Sequence, residues 1–442
     1  MNKNEARRVV ITGLGIVSPL GNDLKTFWQL LSDGATGVRP LSLFDTSPFS
    51  ASLAAEVTDF DPTDFIPVKQ ARRMGRVSQF AVASALMAVR DAHLDLSDQD
   101  RAEAAVSFGT SVGGLKEAFE AHDSMIRKRY QHTNPFTMTA TFPNAVSSEV
   151  AIALGLHGRC ETYSVGCSST ANAIGRASEL IKSGLTDVVI AGGAEAPLHP
   201  TIFSAMDAGR VLAPDQEGAI RNLPRPFDRT RCGIVLGEGA GCIVLESFEH
   251  ARERGARMYA ELEGWRFTCD AYSMAKPQET GGEQRRAIEL ALNTARWFPE
   301  EVDYINACGL GTRDLDAIET GAIKKAMGEC AYRIPVSSFK GALGHAFAAS
   351  GAFQVVGTAL ALEQQFIPPT VNLVEPDSEC DLDYVAGEGR SSNMRRALIN
   401  SFGFGGKNVV LALSRVDAAV AYGALMDNDW AALHSHQFAG VS

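Results

Sequence analysis

The stretch ETYSVGCSSTANAIGRA, residues 161–177, decides the fold. It begins as a short β-rich run, breaks at Gly166 and continues as small and apolar residues at helical spacing. A strand that turns at a glycine and passes straight into a helix is the repeating junction of α/β layers. Cys167 stands at that junction. Backbone N–H groups at a helix N-terminus carry partial positive charge, so a thiolate there is predicted to be stabilised and nucleophilic, with its pKa below the free-cysteine value of about 8.5. Ser168, Ser169 and Thr170 keep the first turn small and able to cap. A buried structural cysteine fits the same stretch equally well.

Outward from this junction, strand and helix patterns alternate. RRVVITGLG (7–15) and AAVSFGTSVGG (104–114) read as strands entering glycine turns. SQFAVASALMAVRDAHL (78–94) has apolar residues at helical spacing. The helix opened by CSSTANAIGRASELIKSG is predicted to end at Gly184, a C-cap glycine. DVVIAGGAEA and AGCIVLESF are buried-strand runs. EVDYINACG, RIPVSS, the helix SGAFQVVGTALALEQQF and the strand NVVLALSRV come later in the chain. A change of tempo at RGARMYAELEGW (254–265) predicts a boundary near residue 255, giving halves of 1–255 and 256–416. The Ala-rich tail, 417–442, is weakly patterned, and no short internal repeat is evident.

The 442 residues are 45% hydrophobic and 21% charged, which suits a globular chain with a sizeable core. A formal charge of −11 argues against a general nucleic-acid binder. No apolar run approaches the roughly 20 residues of a membrane span, and MNKNEARRVVITGLG lacks a secretory h-region. Eight cysteines without paired spacing fit free thiols in a reducing cytoplasm. Metal-ligand spacing is absent, and TGLGIVSPLG lacks the glycine spacing of a dinucleotide site.

Two further motifs carry chemistry. SSFKGALGHAFAASGA (337–352) places Lys340 and His345 in a glycine-rich loop before a helix of small residues. A histidine there suits proton transfer or donation to an oxyanion, or it is satisfied in a turn. NSFGFGGKN (400–408) offers backbone N–H groups suited to an oxyanion hole, or it is a plain β-turn.

Together with VVITGLGIVSPLGN, NPFTMTATFPN, SVGCSST, VVIAGGAEA and RPFDRTRCGIVLGEGAGCIVLES, these motifs give a chain that resembles the elongating β-ketoacyl-acyl-carrier-protein synthases of the thiolase superfamily. The likeness runs from about residue 7 to 416. It implies a thiolase-like α/β fold of two similar halves in five layers, α-β-α-β-α, and a homodimer or a heterodimer with a related chain. It implies acyl transfer in fatty acid or polyketide synthesis. No cofactor is held by the chain itself; 4′-phosphopantetheine arrives on an acyl carrier protein. By the resemblance Cys167 is the acyl-accepting nucleophile, His345 and Lys340 are active-site partners, and Phe404 is the gate. The N–H groups of Cys167 and Phe404 form the oxyanion hole, and Glu319 is a structural acid. Val112, Thr312, Phe402, Gly403 and Gly405 border the substrate.

One position departs. In YINACGLGTRDLD (304–316) the family has a second catalytic histidine where this chain has Cys308, and a threonine where it has Leu310. Cys232 and Ile234 likewise stand where aspartate and phenylalanine are usual. Two histidines would stabilise the enolate left by malonyl decarboxylation, and a thiol is only a weak donor. Losing one oxyanion donor costs roughly 10²–10³ in rate. The expectation is a Cys-Cys-His site that acylates Cys167 and decarboxylates slowly, its sulfur at 308 lining the same cavity as Cys167. The alternatives are acyl transfer to an alcohol, amine or thiol, and a partner subunit that sets chain length beside an active synthase. Docking an acidic carrier protein needs a local basic patch, and Lys69, Arg72, Arg73, Arg127, Lys128, Arg129 and Arg210 supply candidates.

Overall fold

The structure is a computed structural model that describes residues 7–128, 130–215 and 223–416. Arg129, the Lys128 side chain and the tail 417–442 lie outside the described residues. Ten strands form one sheet: β1 (Val9–Val17), β2 (Ala105–Gly109), β3 (Cys160–Tyr163), β4 (Val188–Glu195), β5 (Gly239–Ser247), β6 (Ala260–Cys269), β7 (Tyr304–Asn306), β8 (Val336–Ser337), β9 (Arg396–Gly403) and β10 (Lys407–Ser414). Their spatial order is β8-β7-β9-β10-β6-β1-β5-β4-β2-β3. Six helices frame this sheet and its site: α1 (Arg76–Asp91), α2 (Ala145–Leu154), α3 (Ser169–Lys182), α4 (Gly282–Ala295), α5 (Arg313–Met327) and α6 (Ala349–Gln364).

This order contains a duplication. Outward from the centre it runs β1-β5-β4-β2-β3 on one side and β6-β10-β9-β7-β8 on the other. Adding five to each strand of the first set gives the second. Strand directions repeat too: the two inner pairings of each set are antiparallel and the two outer pairings parallel. Within the sheet the sets pair through Val10 and Ile11 of β1 against Glu261 and Ala260 of β6. In chain order the helices fall at matching places, β1-α1-β2-α2-β3-α3-β4-β5 and then β6-α4-β7-α5-β8-α6-β9-β10.

The five layers arise from helix burial. Helix α1 buries Phe80, Ala81, Ala85 and Ala88 against β1, β5 and β4, with α2 beside it. Helix α4 covers β6 and β10 of the second set in the same way, with α5 beside it. Helix α6 is buried at every residue from Ala349 to Leu362, and α3 nearly so from Ser169 to Ser178. A helix apolar all round belongs in the middle of a large core. These two pack on each other between the sheet sets and complete the α-β-α-β-α stack.

RGARMYAELEGW is a turn at Gly255 feeding the ten-residue strand β6, and it lies between the two strand sets. Strand β9 and helices α2, α4 and α5 carry no clear signal in the sequence. Gly184 sits just past the C-cap Ser183 with φ +74, as a helix-ending glycine does.

The central layer is tight enough to exclude single methyl groups. A Cβ on Gly175 of α3 would lie 2.2 Å from the Trp265 ring of β6. Gly175→Ala is expected to lower stability by about 1–3 kcal/mol, the usual cost of overpacking. Gly321, inside α5, has nothing within 4 Å of such a Cβ, so Gly321→Ala is expected to gain about 0.5–1 kcal/mol. Thermal denaturation of the two variants in parallel checks the pair.

Candidate active site

Cys167 reaches its position through a glycine. Gly166 has φ +75, which reverses the chain after β3. Ser168 is the N-cap of α3, so Cys167 stands two residues ahead of the first helical residue. The hydroxyls beyond it do not cap the helix. Ser168 Oγ donates to the Lys407 carbonyl at 2.9 Å, and Thr170 Oγ1 donates to the Ala348 carbonyl at 2.6 Å. Ser169 Oγ accepts from Val165 N at 2.8 Å and donates to the Gly166 carbonyl. The first turn of α3 is thereby tied to residues of the second half. Gly403 completes the junction: a Cβ there would lie 3.1 Å from Cys167 N and 3.2 Å from Cys167 Cβ. The next residue, Phe404, brings its backbone N–H near enough to the Cys167 sulfur to favour the thiolate.

His345 comes directly after Gly344, which ends the one-turn helix begun by Lys340 with φ +63. Its backbone is fixed by Val235 and Gly237, with His345 N donating to Val235 O at 2.7 Å and Gly237 N to His345 O at 3.0 Å. The ring meets Cys167 with Nε2 3.3 Å from Sγ, and Nδ1 lies 3.3 Å from Ser350 Oγ. Burial, and then the positive Lys340, push the imidazole well below its ordinary range, so it is neutral. Burial also pushes the Cys167 thiol up to about 12; the nearby Cys308 adds to this, while the Phe404 N–H and Lys340 oppose it. The sequence predicted the opposite, a lowered thiol. Enclosure of the sulfur, which the sequence does not show, is the cause of the rise. The resting site is a neutral thiol–imidazole pair.

Cys308 lies on the loop after β7 and is also buried. Its N–H and that of Gly309 both donate to the Glu319 carboxylate at 2.8 Å. Three residues earlier on α5, Asp316 accepts from Leu310 N at 2.8 Å, Gly311 N at 3.1 Å and Phe227 N at 2.8 Å. Arg231, fully buried, reaches Thr312 O at 3.0 Å and Asp377 at 2.7 Å. The loop is thus held at each peptide by an enclosed charge. Lys340 Nζ donates to the Cys308 carbonyl and lies 3.9 Å from its sulfur. The thiol itself turns to the Phe402 carbonyl at 3.4 Å. Burial pushes it up to about 11, against the pull of Lys340.

A cavity of about 1090 Å³ borders Cys167, His345, Phe402, Gly403, Phe404 and Gly405. Leu310, Thr312, Cys232, Ile234 and Arg210 also line it. Cys308 does not, contrary to expectation; Phe402, whose carbonyl it contacts, holds the wall. Lys340 and Val112 are absent from the wall too. Val112 packs instead in the apolar cluster around Cys167, with Leu198, Ile202 and Phe203. Among the basic candidates, Lys69, Arg72, Arg73, Arg127 and Arg210 are exposed. Arg73 stacks over Phe136 at 4.8 Å, and Arg127 reaches Asp123 at 3.9 Å.

Sequence reasoning missed Asp316, Arg231 and Glu195. The spacing Asp316-x-x-Glu319 on one helix face was a usable signal. Glu195, an acid within the buried run VVIAGGAE, was another. It accepts from Ser111 N, from Thr110 Oγ1 at 3.2 Å and from Val112 N at 3.4 Å. Burial still raises it to about 7 from 4.5. The folded chain therefore holds a proton that the unfolded chain loses above about 4.5, and this stabilisation disappears as pH rises through about 7. His345 acts in the opposite sense, below its ordinary 6.5. A melting temperature that falls between pH 6.5 and 8 in the wild type, and falls less in Glu195→Gln, is the expected result.

Comparison with known proteins agrees with this geometry. The Beta-ketoacyl synthase N-terminal domain model matches residues 6–251, and the C-terminal domain model matches 259–374. A 3-oxoacyl-[acyl-carrier-protein] synthase 2 of Synechocystis sp. is 41% identical over 411 residues, 93% of this chain and 99% of the relative. One of Staphylococcus aureus is 38% identical over 416 residues, 94% of this chain and 100% of the relative. Two solved structures, each 33% identical with a TM-score of 0.86, cover 93% of this chain and 100% of their own. One is a type II polyketide acyl-carrier protein in complex with its ketosynthase bound to the hexaketide, and the other is the ishigamide ketosynthase/chain length factor. The duplicated five-layer fold, the thiol–imidazole pair and these likenesses agree: the chain belongs to the β-ketoacyl synthase family of thiolase-superfamily condensing enzymes.

Proposed function

We propose that this chain takes an acyl group from an acyl carrier protein onto Cys167, and that its malonyl decarboxylation is slow. The observation that carries this reading is the 3.3 Å contact of His345 Nε2 with Cys167 Sγ, set beside a Cys308 sulfur turned toward the Phe402 carbonyl. With Nδ1–H donated to Ser350 Oγ, the neutral ring presents Nε2 as acceptor for the thiol proton. Proton removal and attack on the thioester carbonyl are coupled, since a free thiolate is scarce in this enclosure. The N–H groups of Cys167 and Phe404 receive the oxyanion. The carrier's thiol leaves with the proton, and a thioester remains on Cys167.

The second half-reaction is weaker. An enolate formed as carbon dioxide leaves a malonyl thioester needs donors, and His345 donates to it only in the other tautomer, with Nε2–H free and Nδ1 accepting from Ser350 Oγ. Cys308 is a weak donor with its hydrogen bond already committed to a carbonyl. Transfer of the acyl group to an alcohol, amine or thiol avoids this demand and is the second reading, favoured by polar groups such as Gln284 and Thr312 on the cavity wall. A non-catalytic partner role is disfavoured by the intact Cys167–His345 contact.

Carrier docking is supported by exposed Lys69, Arg72, Arg73 and Arg210, the last on the cavity wall, and by the carrier complex among the similar structures. Dimerisation is supported by β3, an edge strand of the sheet, and by exposed Met138 and Phe142 in NPFTMTATFPN.

Intact-protein mass spectrometry with acyl- and malonyl-carrier proteins tests the reading. Wild type is expected to gain the acyl mass and Cys167→Ala to gain none; acylation of that variant would overturn the assignment. Cys308→His, with Leu310→Thr if needed, is expected to raise malonyl decarboxylation roughly 10²-fold. Ordinary condensation by the wild type would refute the slow step. Reversing the charges of Arg72 and Arg73 is expected to slow carrier association, with added salt mimicking the effect.

A further inference from the structure

Cys269 ends β6 and Lys407 begins β10, and the two stand directly opposite each other in the antiparallel pairing of these strands. Their side chains meet, with Lys407 Nζ 3.2 Å from Cys269 Sγ. Both residues are half-buried, so solvent reaches the pair. Among the described residues no carboxylate pairs with the Lys407 ammonium; Asp270, next in the chain to Cys269, accepts from Asn408 Nδ2 at 2.7 Å. The thiol has a second contact, to the Gly405 carbonyl at 3.8 Å. Gly405 belongs to the turn that joins β9 to β10 and carries Phe404. That turn rests on the chain that follows β6: Asp270 N donates to Gly406 O at 2.8 Å, and Gly405 N donates to Met274 O at 3.0 Å. Other cysteines lack one part of this arrangement. Cys330 has the Arg333 guanidinium at 3.6 Å in place of an amine, and Cys308, 3.9 Å from Lys340 Nζ, is buried.

We propose that Cys269 and Lys407 are a redox-sensitive cross-linking site, in which a peroxide joins Sγ to Nζ as a sulfenamide and so resets the turn that carries Phe404. The peroxide first oxidises the thiol to a sulfenic acid: one peroxide oxygen goes to sulfur and the other leaves as water. Sulfenic acids condense with nitrogen nucleophiles as well as with thiols. Nζ, having lost one proton to solvent, attacks the sulfur; the S–O bond breaks, and the hydroxyl leaves as water with a second amine proton. Two electrons pass from the thiol to the peroxide, and the S–NH product is uncharged. The ammonium charge and the thiol contact with the Gly405 carbonyl are both lost, and the two strand ends are drawn from contact to bonding distance. Phe404, next to Gly405, supplies the N–H that favours the Cys167 thiolate, so the change is transmitted to the nucleophile. A dithiol reductant reverses the step, returning thiol and amine while its own two thiols become a disulfide.

The test treats the full chain with hydrogen peroxide and maps its peptides by mass spectrometry. Wild type is expected to give a peptide pair joined through Cys269 and Lys407, about 2 Da lighter than its separate parts, which comes apart after dithiothreitol. Cys269→Ser, which has no sulfur, and Lys407→Arg, which keeps the charge but has no amine to condense, are expected to give none. The second measurement rests on the reading that Cys167 is acylated from a thioester. Acylation of Cys167 is expected to slow about tenfold in the cross-linked wild type and to recover with dithiothreitol, while both variants keep their untreated rates after peroxide. Peroxide that leaves Cys269 a free thiol, or converts it only to an oxidised acid or to a disulfide with another cysteine, overturns the cross-link. A cross-link that leaves the acylation rate unchanged overturns its action on the Phe404 turn. Untreated wild type that takes no acyl group overturns the acylation reading instead, and the peptide map still decides the cross-link.

Discussion

The structure depends on how closely the first turn of α3 is gripped between the two halves. Gly109 at the end of β2 stands where a Cβ would be 2.3 Å from Thr170 N, and Gly403 at the end of β9 abuts Cys167 from the other half. Between them, Ser168 and Thr170 donate to carbonyls at Lys407 and Ala348. These contacts set the separation of the sheet sets, and with it the distance from Cys167 to His345. The nucleophile is therefore placed by the same packing that closes the core. Side-chain volume at the glycines and hydrogen bonding at the hydroxyls act on one geometry, so a change at either is felt in the site.

Burial sets the chemistry of that site. It raises both thiols, lowers the imidazole and raises Glu195 and Asp316. The same desolvation makes every neighbouring hydrogen bond count for more. Asp316 and Glu319 stand one helical turn apart on α5 and hold consecutive peptides of the Cys308 loop, while Arg231 anchors its far end. The loop is rigid at its backbone and variable at its side chains. A substitution such as cysteine at 308 or leucine at 310 can then alter the reaction without disturbing the frame, because the carboxylates bind N–H groups that every residue type except proline supplies.

Much of this is legible in the chain. The strand–glycine–helix pattern around Cys167, the helix 350–366 and the strand 408–416 emerge from periodicity and turn residues alone, because local spacing decides which face is buried. The identities of Cys167, His345, Lys340, Phe404 and Glu319 come with the resemblance carried by ordered motifs. Strand β6 escapes such a reading because its burial alternates irregularly, and α4 and α5 escape it because their polar faces dilute the apolar spacing.

The sequence by itself determined the elements named by its spacing, their order and the residue types brought to the site. Only the tertiary structure decided the rest. The duplication is invisible as a sequence repeat because it is kept as strand order and direction, which many side chains satisfy. The thiol of Cys167 reads as activated because a sequence shows the helix terminus and not the enclosure. The Cys308 sulfur was expected in the cavity, but the choice between cavity and the Phe402 carbonyl depends on a partner 94 positions away in the chain. Asp316 and Arg231 matter through long-range contacts, and such contacts exist only once the two halves have closed on each other.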